Sequence, residues 1–203
     1  MKTRTLWLAL IAIPLAATPG GEVTGLPVRL FYPRSVGSGT IREAVQIASR
    51  IFGRAGLAFN WLPCPQDAPD DLCNGDEGMK ILVIQTRAKD NGLGIALQVD
   101  RVLGTEATVF FANVRDAAHR AGVHPAVALG SVVAHEIGHL LGLADRERGV
   151  MHAVFADRDL QRAARGQLTF LEDESELLRF SIAARSARGR SKNAEAGATT
   201  VLK

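Results

Sequence analysis

Two histidines four residues apart, with a glutamate directly after the first, are the residues of this 203-residue chain best suited to do chemistry. In His135-Glu136-Ile137-Gly138-His139 the four-residue step sets both imidazoles on one face of an α-helix, where each can offer a ring nitrogen to the same cation. Zinc suits such a pair. Held by three protein ligands, it keeps a fourth position for water, lowers that water's pKa from about 15.7 to about 7 and polarises a substrate carbonyl. Glu136 stands beside the two ligands as a general base, able to take a proton from water and pass it to a leaving amine. The same five-residue pattern also arises on ordinary amphipathic helices, so the residues that follow decide between the two readings.

After His139 the chain reads Leu140-Leu141-Gly142-Leu143-Ala144-Asp145, and then Gly149-Val150-Met151. A glycine three residues past the second histidine predicts a sharp exit from the helix with positive φ, turning the chain back towards the metal. Asp145 falls three residues further on. This resembles the metzincin metalloprotease pattern, His-Glu-x-x-His-x-x-Gly-x-x-His or Asp followed by a methionine turn. The resemblance is specific over residues 135–151, and the wording there and in DLQRAARGQLTF is also similar to small secreted bacterial metallopeptidases.

The resemblance implies a zinc endopeptidase in which His135, His139 and Asp145 hold Zn2+, Glu136 is catalytic and Met151 forms a hydrophobic floor beneath the metal. It implies a peptide or protein substrate. In three respects the chain departs from the commonest form of the family: the third ligand is an aspartate, as in the snapalysin-like minority; the loop from Asp145 to Met151 is short; and no tyrosine follows Met151, Tyr32 being the only one. On the residues alone, three alternatives stay open. His152 could close the coordination while Asp145 pairs with Arg146 or Arg148. A gluzincin would draw its third ligand from Glu172, Glu174 or Glu176. A zinc-stabilised binding module would show no turnover, although a structural site is normally closed by a fourth protein ligand and has no need of Glu136.

The elements that must position these residues are legible in the hydrophobic pattern. Strands are predicted over residues 28–32, 57–62, 80–85 and 107–111, and an amphipathic helix over 40–55 with Ile41, Val45, Ile47, Ala48 and Ile51 at helical spacing. The unbroken apolar run Ile81-Leu82-Val83-Ile84 is expected of a strand covered on both faces. Residues 113–121 read as a short helical or looped connector. One long helix over 125–141, opened by Pro125, carries the histidines, with His119 and His124 at the surface before it. Short helices are predicted over 157–164 and from a capping box at Thr169 to Glu172 as far as residue 183, packed through Leu171, Leu177, Leu178 and Phe180. The fold class is therefore α/β (α+β): a twisted mixed sheet with a backing helix and a zinc-site helix, and a small helical C-terminal part. By analogy with metzincins, Gly94, Ile95, Ala96 and Leu97 form the sheet edge above the cleft and bind extended substrate through main-chain hydrogen bonds. An ordinary bulged edge strand has the same sequence signature.

Lys2 and Arg4, an apolar run over residues 6–17 and small residues after it have the layout of a secretory signal peptide. Residues 1–20 are expected to be that signal, 21–184 a single domain and 185–203 a disordered basic tail, with no stable membrane insertion after cleavage. That leaves little room for an inhibitory propeptide. The sequence pI of about 9.2 owes much to the tail, where Arg185, Arg188, Arg190, Lys192 and Lys203 face only Glu195. No phosphate-cradling glycine loop or base-stacking aromatic cluster accompanies the charge, which argues against a nucleic-acid partner. A monomer is expected. In an exported chain the only two cysteines, Cys64 and Cys73, bracket a Pro/Asp-rich loop and predict one disulfide.

Overall fold

A computed structural model of the chain describes residues 25–67, 73–75, 77–97 and 104–199, with side chains through residue 187. The expected signal peptide lies outside these residues. The largely apolar run Leu26–Tyr32 forms strand β1, with β2 (Phe59–Pro65) on one side and β3 (Met79–Ile84) on the other, both parallel to it. Beyond β3 lies β5 (Glu106–Phe110), also parallel, and the row ends in β4 (Gly94–Leu97), antiparallel to β5. The sheet order is β2-β1-β3-β5-β4. Parallel neighbours need a crossover, and helix α1 (Ser38–Arg54) supplies the one from β1 to β2, burying Ile41, Ala44, Ile47, Ala48, Ile51 and Phe52. The fold is the mixed α/β layer expected from the pattern.

The apolar run of β3 is not covered equally on both faces. Met79, Ile81 and Val83 are fully buried in the helix-covered core, whereas Lys80, Leu82 and Ile84 are only part-buried. On that second face Arg29 of β1 is buried, its guanidinium donating to the Glu77 carbonyl and lying against Gly75, just past the Cys64–Cys73 disulfide. A buried arginine and the chain that holds it lie where a doubly wound sheet would carry a second helical layer. Sequence alternation could not reveal this, because a half-covered apolar face and a fully covered one read alike.

Phe111 does not end a strand. It is the first residue of helix α2 (Phe111–Ala121), which follows β5 without a loop and stops at Gly122 in the left-handed conformation. Helix α3 (Pro125–Leu140) then runs through the middle of the molecule, packed against α1, α2, β4 and β5. It is buried on nearly every side, as a helix apolar all round must be, and beyond its first residue, Pro125, only His139 within it is part-exposed.

Helix α4 (Asp157–Ala164) buries Leu160 and Ala163 against the core. Helix α5 (Glu172–Thr199) continues well past residue 183, where the pattern predicts its end, through backbone expected to be a disordered tail from residue 185. Its Ala, Arg, Lys and Glu content favours helix. Arg185 is held rather than free, donating to the carbonyls of Gly104 and Leu140. The packing face of α5 also differs from expectation: Leu178 is buried, but Leu177 and Phe180 are exposed. The inward face instead carries Glu174, Ser175, Leu178 and Ser181, whose polar members bond backbone: Glu174 accepts the Leu171 N–H at 2.7 Å, while Ser175 and Ser181 donate to the carbonyls of Leu171 and Leu141. The helix is thus capped by Leu171 and Glu174 rather than by Thr169 and Glu172. No helix among the described residues is long and apolar enough to cross a membrane.

Candidate metal centre

The last two turns of α3 bring His135 and His139 together, with Nε2 to Nε2 at 3.0 Å. Both rings are fixed from behind: Nδ1 of His135 lies 2.9 Å from the Val150 carbonyl and Nδ1 of His139 lies 2.9 Å from the Leu143 carbonyl. A carbonyl oxygen only accepts, so each Nδ1 carries a proton and each ring aims its Nε2 at the other. Asp145 Oδ1 completes the group, 3.3 Å from His139 Nε2 and 3.6 Å from His135 Nε2. Three acceptors converging in this way require a proton or a cation between them. A proton is disfavoured at His135, where burial, the main cause, pushes the imidazolium pKa down. The separations match a four-coordinate ion, since ligand atoms about 2.05 Å from a tetrahedral centre lie about 3.3 Å apart. His135, His139 and Asp145 therefore fit zinc, and they are the group of potential ligands that converges among the described residues.

Asp145 reaches this position because the chain reverses at once after the helix. Gly142, with φ of 93°, allows the Leu143 N–H to bond back to the Gly138 carbonyl at 3.0 Å. The short loop is then tied shut: the Arg146 N–H donates to the Met151 carbonyl at 2.7 Å and the Ala153 N–H to the Arg146 carbonyl at 3.2 Å. The Arg146 side chain is spent on α5, bonding Asp173 at 2.7 Å and approaching Glu174 at 3.6 Å. The alternative in which it pairs with Asp145 is not what forms. Nor does His152 join the group, because its Nδ1 bonds the buried Asp159 carboxylate at 2.7 Å. Glu174 is committed to the cap of α5, and Glu172 faces Arg179 at 3.7 Å, so the gluzincin arrangement finds no glutamate near the histidines. Met151 is completely buried directly behind α3, its thioether against Gly138, where a Cβ could not fit.

Glu136 projects from the same turn towards the sheet edge. It is 4% exposed, and its Oε2 has no hydrogen-bond partner among the described residues. Burial, with a smaller contribution from the Asp145 charge, pushes its carboxyl up to about 8. Gly94 of β4 lies against this carboxylate so closely that a Cβ there would stand 2.7 Å from Glu136 Cδ. Above the histidines an open cleft of about 300 Å3 is bounded by Gly94, Ile95 and Ala96 on one side and Asp145 and Ala153 on the other. Ile95 and Leu97 are exposed on this edge, which pairs with β5 on its other side. Phe155 stands beside His135, outside the cleft lining, its ring 5.5 Å from that of the histidine and edge-on to it.

Several participants carry no sequence signal of their own. The carbonyls of Leu143 and Val150 orient the imidazoles, yet any residue supplies a carbonyl. Phe155, the His152–Asp159 pair and the anchoring of Arg146 on α5 depend on how the C-terminal helices pack. The contact of Gly94 with Glu136 spans 42 positions and could be found only by knowing that β4 is the strand beside α3.

No protein-family model and no curated protein matches the sequence. Among solved structures the chain is similar to archaemetzincin from Methanopyrus kandleri, with a TM-score of 0.55 and 15% identity, over 80% of this chain and 98% of that one. At that identity the likeness is one of fold, and the five-stranded, mostly parallel sheet with its central helix is an archaemetzincin-like fold.

Proposed function

We propose that this chain is an exported zinc-dependent endopeptidase. The observation that supports the reading most strongly is the convergence of His135, His139 and Asp145 beside a buried, unbonded Glu136, beneath an open strand edge. Zinc, when bound by the three ligands, supplies Lewis acidity towards water and a substrate carbonyl. The protein's own contribution begins with the two backbone carbonyls, which hold both rings in the ligating tautomer. Asp145 offsets part of the cation's charge. Glu136 accepts the proton of the attacking water and returns it to the leaving amine. Burial holds the Glu136 carboxyl near 8, and a divalent cation held by His135, His139 and Asp145 would favour its ionised form, the form a general base needs. Gly94 to Leu97 would align an extended peptide by adding it to the sheet as a further strand. Export is supported by the leader-like N-terminal sequence and by the Cys64–Cys73 bridge, which persists in oxidising compartments.

The test is metal analysis and a peptide-library digest of wild type beside Glu136→Ala. Both proteins should hold one zinc, and the variant should lose hydrolysis by at least about a hundredfold. Equal cutting by the two would overturn the assignment, and zinc without cutting in either would mark a binding module.

A further inference from the structure

A second cavity, of about 360 Å3, opens beside the cleft and shares His135, Glu136 and Gly94 with it. Its inner wall is apolar, formed by the buried Ala117 and Val132 and by Phe155. At its outer end stands Arg120, in the last turn of α2 and exposed. Arg120 also lines a third cavity, of about 280 Å3, which continues past Asn91 and Leu93 to Arg87, Asn113 and Asp116. The recess therefore leads from the proposed base to an arginine.

The charges along it are not equally engaged. Arg87 is paired with Asp116 at 2.5 Å, and Asp90 accepts the N–H of Gly92 in its own turn at 3.1 Å. Arg120 acts on Asp116 only from a distance and has no ion-pair partner of its own among the described residues. Asn113, 5% exposed, braces the wall of the recess, its Nδ2 donating to the Gly92 carbonyl at 2.8 Å, and its Oδ1 has no partner among the described residues.

We propose that this recess is a substrate subsite for a carboxylate, an acidic side chain or a free C-terminus, received by the guanidinium of Arg120. A guanidinium forks onto a carboxylate with two parallel hydrogen bonds, while a lysine in the same place would be repelled. The apolar inner wall would cover the stem of the bound residue. The inference rests on the peptidase reading for its substrate class.

Peptides differing at one position, with Glu, Gln or Lys walked along the chain and the C-terminus free or amidated, provide the test. Cleavage is measured with the zinc-loaded enzyme, and binding with zinc-loaded Glu136→Gln. At one position Glu should exceed Gln by about tenfold in kcat/KM and in affinity; a preference for free over amidated termini would instead identify the C-terminus as the source. Arg120→Glu should reverse the order in favour of Lys. Cleavage without charge preference, or a preference that survives Arg120→Glu, would overturn the subsite. Charge-selective binding without cleavage in wild type would sink the peptidase reading and leave the subsite standing, and the absence of both would sink both.

Discussion

At the scale of residues, the third ligand separates two readings of the same loop. Asp145 lies 3.3 Å and 3.6 Å from the two histidine nitrogens, while His152 is engaged by Asp159. Asp145→Ala should weaken zinc binding by at least about tenfold in a competitive titration. His152→Ala should leave zinc affinity unchanged and instead cost about 1 to 3 kcal/mol of stability, because the buried Asp159 carboxylate would lose a hydrogen-bond partner. The opposite pattern would move the ligand to His152. Glu136 gives a second prediction, for protein stripped of metal by a chelator. Its folded-state pKa of about 8 stands above the unfolded value near 4.5, so the stability of the protonated form is whole below about pH 4.5 and is lost as pH rises towards 8. Glu136→Gln should therefore stabilise the stripped protein at pH 8 by on the order of 2 to 4 kcal/mol and leave it unchanged at pH 4. Denaturant titrations at the two pH values check this, and an equal effect at both would show that the carboxyl is not strained by burial.

At the scale of elements, the edge strand and the central helix meet at one point, Gly94 against Glu136. A methyl group there must displace the carboxylate, which is the free end of a side chain and can swing away without disturbing the core. Gly94→Ala should consequently lower kcat by about a hundredfold, the usual consequence of moving a reacting group by an ångström. Melting temperature and zinc content should stay at the wild-type values; a parallel fall in stability would mean that Gly94 serves the sheet rather than the base. The helix C-terminus is braced in a different way, with Ser181 and Arg185 of α5 bonding the carbonyls of Leu141 and Leu140. Those bonds explain why the inward face of α5 is polar in places where a search for hydrophobic spacing chose Leu177 and Phe180.

At the scale of the whole molecule, helices cover one face of the sheet, and on the other the chain just past the Cys64–Cys73 bridge meets Arg29. Replacing Cys64 and Cys73 by serine should cost about 2 to 3 kcal/mol, the chain-entropy value for so short a loop. Because the bridge lies on the β2 side of the sheet and the metal centre beside β4 at the opposite edge, zinc affinity should be unaffected. Thermal melts and zinc titration of the double variant check both expectations, and a coupled loss of zinc would show that the two ends of the sheet communicate.

What the sequence determined by itself was whatever depends on local spacing. Helical periodicity sets His135, Glu136 and His139 on one face, Gly142 permits the reversal that only a residue without a Cβ makes cheaply, and period-two and apolar runs mark the strands. Tertiary structure decided whatever depends on distant partners. It settled that Asp145 rather than His152 lies with the histidines, because Asp159 claims one and Arg146 is claimed by α5. It also determined which face of α5 turns inward, since buried polar groups paired to backbone are as well accommodated as leucines but leave no hydrophobic pattern. The environment of Glu136 is the clearest case. A glutamate's place in a motif names its chemistry, but the burial that makes it basic comes from Gly94 and the sheet edge, 42 residues away in the chain.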